Sequence, residues 1–423
     1  MSRMKSIASV LSVIALGFGL LSCTNSGGGG GGSSTSTFAV STTAADFGVV
    51  GNSYSTTLVT VNGTAPLTWS LSTGSLPAGL NPVIPATGTI TGTPTVQGSF
   101  TATFTVTDST GKTATGSVLF AVHPRTDVLS VDNGAPPVPG IAGIGGPSSR
   151  PSISDDGRFA VFASSASNLV PGISGSQIYL HDWQTNQTTL ISRDGIAVSP
   201  TGGNGTSSAP SISGDGQFMA FVSDATNLLP AGSPAVTSRQ IYVHDRQLGV
   251  TSLVSRDNSS NQASAGVAAL SPSISDDGRF VAFVSSSANL VSSVSVFPQV
   301  YLRDVQLGVT SLVSQDNSSN QASAGVAALS PSISGDGRFV AFVSSSANLV
   351  SSVSVFPQIY LRDVQLGVVS LVSKDNSPVP VEGNGLSSEP SVNANGRFVA
   401  FSSLSINLGA VSGNQQIYVR ALP

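Results

Sequence analysis

The run Arg279-Phe280-Val281-Ala282-Phe283-Val284-Ser285 is apolar at every interior position. A strand with one wet face alternates apolar and polar residues, whereas a strand apolar on both faces is covered on both. Counterparts of this run stand at 158–164, 217–223, 338–344 and 397–403. Each is preceded by a short run such as PSIS (272–275) and followed by runs such as QVYLRDV (299–305) and TSLVS (310–314). The pattern predicts four strands per unit, a to d in chain order. The Pro-Ser pairs opening the units fall at Pro151, Pro210, Pro272, Pro331 and Pro390, so the spacings are 59, 62, 59 and 59 residues. A fixed period of this size predicts propeller blades or an array. Windows 247–309 and 306–368 differ only at Arg256/Gln315, Asp276/Gly335 and Val300/Ile359, as a duplicated unit would.

The last unit stops after strand c, at 415–423. Ahead of the first unit stands TDVLSVDN (126–133), which matches the TSLVSRDN of a strand d. This predicts that the N-terminal strand completes the last unit and closes a five-bladed β-propeller over residues 124–423. Closure removes a free edge that would invite aggregation.

Residues 38–123 carry a different set of short strands, including YSTTLVTV (54–61), LTWSL (67–71), SFTATFTVTD (99–108) and GSVLFAV (116–122), punctuated by Gly, Pro and Asn. About seven strands in such a length predict a β-sandwich. Pro66-Leu67-Thr68-Trp69-Ser70, Gly74-Ser75-Leu76-Pro77-Ala78-Gly79-Leu80 and Gly88-Thr89-Ile90-Thr91-Gly92-Thr93-Pro94 resemble the bacterial Ig-like modules related to cadherin and immunoglobulin domains. That resemblance implies a cell-surface or envelope module. Asp46 and Asp108 are the acidic residues of the segment, too few for a calcium site of six to eight oxygens. Trp69 is expected in the core. The chain is therefore expected to be all-β, an Ig-like sandwich followed by a propeller.

Composition narrows the function. Of 423 residues 9% are charged, and the net charge is −4. With no basic excess to neutralise phosphates, nucleic acid is not expected as a partner. Arg3 and Lys5, then an apolar run from Ile7 to Leu21, read as an export signal over residues 1–23, too short for a stable membrane span. Leu20-Leu21-Ser22-Cys23 resembles a bacterial lipoprotein cleavage box, and Cys23 is the one Cys of the chain. The resemblance implies a lipidated Cys23 that anchors the chain to a membrane. Thr24, where retention at the inner membrane would call for Asp, implies the outer one. Residues 24–37, TNSGGGGGGSSTST, form a flexible tether.

Asp-Gly-Arg turns, an aromatic-rich strand b and an Ile-Tyr strand c resemble TolB-like propeller repeats over 126–423. Those propellers have six blades as a rule, so five is a departure. The turns read Asp156-Gly157, Asp215-Gly216, Asp277-Gly278, Asp336-Gly337 and Asn395-Gly396, with Asp155, Gly214, Asp276, Gly335 and Ala394 before them. Asp-Gly and Asn-Gly accept the positive φ of tight hairpins; a metal site would need the charge, and Asn395 shows that the turn does not. The antiparallel order sets Arg158 beside Asp182, Arg279 beside Asp304 and Arg338 beside Asp363. It leaves Gln217 facing Asp245, and Arg397 facing Ala421, without an ion pair.

No catalytic residue, metal or cofactor emerges. His181 and His244 share a repeat position with Arg303, Arg362 and Arg420, which reads as a solvated strand end. The strand-a positions expected to line the channel are Ser152, Ser154 and their counterparts, ending in Ser391 and Asn393. Glu382 and Glu389 fall in one loop, without the flanking pair that a glycosidase needs. The b–c and d–a connections are long and share one face, where recognition usually resides. Val296, Phe297, Val355 and Phe356 are the candidate binding residues there. The expected function is an envelope lipoprotein that binds a protein or glycan through this face. The alternatives are a periplasmic TolB-like component and a glycan hydrolase.

Overall fold

In the computed structural model the described residues are 37–124, 129–131, 133, 148–195, 201–264, 270–292, 297–323, 329–350, 356–409 and 414–422. They form strands and turns and no helix. Cys23 and the export signal lie outside them.

The N-terminal module is a small sandwich. One sheet runs Gly48–Val49, Thr113–His123, Gly98–Thr107, Thr68–Gly74; its first pair is parallel and the others antiparallel. Tyr54–Thr57 pairs with Thr89–Gly92, and Ala39–Val40 with Thr60–Val61. Tyr54 and Thr56 point inward while Ser55 and Thr57 face solvent, the period of two that a half-buried strand requires. Tyr54, Trp69, Ile90, Phe104 and Phe120 share the core, and Trp69 is 2% exposed. Asp108 serves a turn: its Oδ1 accepts from Thr110 N–H and Lys112 N–H at 2.9 and 3.0 Å.

Five consecutive sheets follow. The first comprises Ser149–Ile153, Phe159–Ser164, Gln177–Asp182 and Gln187–Leu190; the second, Ser207–Ile212, Phe218–Ser223, Gln240–Asp245 and Val250–Leu253. The third comprises Leu270–Ile274, Phe280–Ser285, Gln299–Asp304 and Val309–Leu312; the fourth, Leu329–Ile333, Phe339–Ser344, Gln358–Asp363 and Val368–Leu371. The fifth has Ser387–Val392, Phe398–Ser403 and Gln416–Ala421. Each is an antiparallel meander in the order a-b-c-d, and the fifth ends at c. Strand b is buried almost throughout, as its two apolar faces require. A stacked pair joins b to c in every sheet: Phe162–Tyr179, Phe221–Tyr242, Phe283–Tyr301, Phe342–Tyr360 and Phe401–Tyr418.

The sheets are tied in series. Ile212, Ile274, Ile333 and Val392 donate their N–H groups to Ser152, Ser211, Ser273 and Ser332 of the sheet before. Pro151, Pro210, Pro272, Pro331 and Pro390, at the starts of the a strands, border one cavity of about 250 Å³. Five sheets converging on one axis form a propeller-like arrangement. The Ig-like module rests on the first sheet, where Phe47, His123 and Trp183 form an aromatic cluster.

On the closing strand, residues 126–128 lie outside the described ones. Val131 and Asn133 are described and bond the first sheet. Asn133 Nδ2 donates to Thr188 C=O at 2.9 Å, and Thr188 N–H donates to Asn133 Oδ1 at 2.6 Å. Among the described residues the outer edge of Gln416–Ala421 is unpaired, and Ile417 and Val419 are 74% and 67% exposed.

Three expectations are corrected. Ser154, Ser213, Ser275 and Ser334 do not line a channel: they are buried in the a–b turns, each donating to the turn Asp. The strand-c basic position is not solvated. His181, His244, Arg303 and Arg362 are 1%, 3%, 2% and 5% exposed, and the segment following strand d of the preceding sheet covers Arg303 and Arg362. Glu389 is not in a loop. It lies on strand a of the fifth sheet, at the repeat position of Arg150.

Candidate functional site

The turn residues meet at the narrow, short-turn end. Gly157, Gly216, Gly278, Gly337 and Gly396 all have φ between 68° and 72°. Asp156, Asp215, Asp277 and Asp336 each accept at one Oδ1 from the strand-a Ser hydroxyl and from the N–H two residues on. In the fifth turn Asn393 Nδ2 takes the place of the hydroxyl and Asn395 Oδ1 that of the carboxylate. The turn needs an oxygen, with or without a charge. The Arg after each Gly closes strand c: Arg158–Asp182, Arg279–Asp304 and Arg338–Asp363 lie at 2.7, 2.7 and 2.6 Å. Gln217 keeps a 3.3 Å hydrogen bond to Asp245. Burial works against the Asp304 charge, but the Arg279 guanidinium holds its carboxyl below the usual range.

The variable position before these turns is set by its neighbours. A Cβ on Gly335 would lie 1.8 Å from Asp276 Oδ2, and one on Gly214 would lie 2.5 Å from Asp155 Oδ2. Around the axis the order is Asp155, Gly214, Asp276, Gly335, Ala394, so each Asp fits because Gly flanks it. Burial, then the charges of Asp155 and Asp277, raises the pKa of Asp276.

The long-loop face is held by two ties that sequence reasoning missed. The first is a repeated Asn-Leu on the b–c loop: Asn227-Leu228, Asn289-Leu290, Asn348-Leu349 and Asn407-Leu408. In the third sheet Asn289 Oδ1 accepts from Ser264 N–H at 2.9 Å, and Nδ2 donates to Gln262 C=O at 2.9 Å. The second is the Gln opening strand c. Gln240 Oε1 accepts from Ser255 Oγ at 2.6 Å while Nε2 donates to Ala263 C=O at 3.0 Å. Gln177, Gln299 and Gln358 do the same. Recurrence of Asn-Leu and of Gln before each Ile-Tyr or Val-Tyr was the available signal.

Of the candidate binding residues, Phe297 is half-buried and Phe356 is 42% exposed; Val296 and Val355 lie outside the described residues. They stand on the b–c loops of the third and fourth sheets. On the opposite face Leu248, Leu307 and Leu366 of the c–d turns are 74%, 70% and 69% exposed, while on the long-loop side Val379 is 82% exposed. On the long-loop side a groove of about 640 Å³ lies on the second sheet. Leu229, Pro230, Pro234 and Val236 of its b–c loop form one wall; Thr251 and Arg256 are on the other side.

No curated protein matches the chain. Among solved structures it is similar to a GH74 xyloglucanase from Xanthomonas campestris: 10% identity, TM-score 0.36, 84% of this chain and 46% of that one. A quinonprotein alcohol dehydrogenase-like protein from Bacteroides thetaiotaomicron gives 11% identity and a TM-score of 0.29 over 90% and 91% of the two chains. The tricorn protease gives 12% and 0.30, with 79% of this chain spanning 28% of that one. Likeness at these scores carries no argument about activity. For the N-terminal module, residues 31–123 match the family described as Putative Ig domain.

Proposed function

We propose that the chain is a non-enzymatic lipoprotein of the bacterial outer membrane, anchored through Cys23, whose TolB-like propeller binds a protein or glycan through its long-loop face. The groove on the second sheet carries this reading, because it is walled by a loop that Asn227 ties down: Asn204 N–H donates to Asn227 Oδ1 at 2.9 Å. A concave site on fixed loops is where a scaffold of this kind binds. The ring has five blades, the last completed by residues 126–130. In support, Asn133 grips Thr188 as Asn258 grips Thr310, the place of a residue that has just left a strand d. Glu389 stands alone of its sign among the residues opening the a strands, with Arg150, Ala209, Ser271 and Ser330, so no carboxylate pair flanks the axis there.

The test is photo-crosslinking of the intact chain in envelope extracts, with the adducts mapped by mass spectrometry. Adducts are expected on the long-loop face. Adducts confined to Leu248, Leu307 and Leu366 would overturn that choice of face. Palmitate labelling that survives Cys23→Ser would overturn the anchor. Polysaccharide turnover lost in Glu389→Gln would show an enzyme instead.

A further inference from the structure

We propose that the groove on the second sheet takes the carboxylate-bearing end of an extended peptide. The proposal rests on the reading of the long-loop face as the recognition face and names what one part of it binds.

Two independent features point to this ligand. The first is a missing carboxamide. In the first, third and fourth sheets one residue of strand d is held by an Asn from the segment before it. Thr310 N–H donates to Asn258 Oδ1 at 2.6 Å, and Asn258 Nδ2 donates to Thr310 C=O at 3.3 Å. Asn133 holds Thr188 and Asn317 holds Val369 in the same way. In the second sheet the Asn position is Gly195. A Cβ there would lie 2.5 Å from the main-chain carbon of Leu229, so the b–c loop has displaced the clamp. Thr251 stands opposite His244 as Thr310 stands opposite Arg303, so its N–H and C=O point to the same outer edge. Among the described residues no hydrogen bond to Thr251 N–H or C=O replaces the Asn, and Thr251 is itself 4% exposed. A carboxamide is a side-chain copy of the peptide group, and an extended peptide brings the same donor and acceptor to a sheet edge. Thr251 borders the groove.

The second feature is Arg256, the one charged side chain lining the groove. Among the described residues its guanidinium has no partner, and its Nε is buried. Arg303 lies close enough that its pKa falls to about 10, through burial first and then the charge of Arg256. A buried Nε–H without an acceptor is unsatisfied, and a carboxylate accepting two N–H bonds from the guanidinium would satisfy it. The neighbouring unit, otherwise almost identical, has neutral Gln315 here. The wall is also particular to this sheet. Its b–c connection runs from 224 to 239, against 286–298 and 345–357 in the next two. Thr251 and Arg256 both line the groove, so a short peptide lying in it reaches both.

The test uses the whole chain and a pool of random hexapeptides that lack Asp and Glu and end in a free carboxylate, read by mass spectrometry after ultrafiltration. Parallel arms use the same pool amidated at its C-terminus, and oligogalacturonate as a saccharide carboxylate. Arg256→Gln installs the residue of the neighbouring unit, and thermal melting verifies that it folds. Enrichment of carboxylate peptides is expected, falling at least tenfold in Arg256→Gln and in the amidated pool. Equal enrichment in either overturns this site while leaving the long-loop face as a binding face. Capture of oligogalacturonate alone overturns the peptide, and no capture of any probe overturns the groove as a carboxylate site. The face itself is judged separately, by the crosslinking map.

Discussion

Asp276 and Gly335 hold the same place in two nearly identical units, yet they are not interchangeable. Asp276 has room because Gly335 lies beside it. Gly335→Asp would drive a carboxylate into another, and overpacking of this kind costs about 1–3 kcal/mol. Asp276→Gly removes a carboxyl whose pKa is already raised by burial, and the expected change is within about 1 kcal/mol. Melting curves of the two variants make the comparison; equal losses would remove the steric account. His244 gives a pH signature. Burial first, then the charge of Arg193, pushes its pKa down from 6.5 to about 4. The folded value lies below the unfolded one, so unfolding takes up a proton between them. Stability is full above about pH 6.5 and falls as the pH drops towards 4, by about 3 kcal/mol at most. Denaturant midpoints at pH 7 and pH 4.5 measure this, and His244→Gln should remove that part of the difference.

Strands b and c follow from the pattern of the chain, because two apolar faces and a facing Phe–Tyr pair are local features. What the pattern hid were polar residues whose partners come from another sheet. Arg303 looked solvated, since Arg usually is. Its Nη1 in fact donates to the carbonyls of Arg256 and Asp257, 47 and 46 residues away. The strand-a serines looked like a channel lining for the same reason, and they proved to be turn caps and links between sheets. Distance in sequence, rather than residue type, made these legible only in the fold. The ties differ in worth. Asn258→Ala removes two hydrogen bonds to a strand edge and should lower stability by about 1–2 kcal/mol. Arg279→Gln, which imitates Gln217, should cost less than Asn258→Ala, because the Arg side chain is one-third exposed and solvent screens the pair. Urea titrations of both variants test the order; an Arg279→Gln loss above that of Asn258→Ala would reverse it.

For the closed ring, the registers of the other sheets supply a specific test. Arg362 faces Val369 and His244 faces Thr251. The same register sets Arg420 opposite Thr126 if residues 126–130 complete the fifth sheet. A Thr126→Cys/Arg420→Cys double variant should then form a disulfide within one chain under mild oxidation, identified by peptide mapping. A bond found only between chains would mean that the edge at Gln416–Ala421 is completed by another copy. The period of the repeated sheets was legible from the sequence alone. The fit of the Ig-like module against the first sheet was not, because Phe47 lies outside the repeat and Trp183 stands where the other units have Arg246, Val305, Val364 and Leu422.

The alternation at the axis also bears on how such a chain can grow. Two almost identical stretches of coding sequence invite unequal recombination, which adds or removes one unit at a time. A second copy of the third unit placed next to the first would bring two aspartates together at the narrow end, whereas a second copy of the fourth would bring two glycines. Units whose first turn reads Gly-Asp-Gly can therefore multiply in place, and those whose first turn reads Asp-Asp-Gly need a spacer between them.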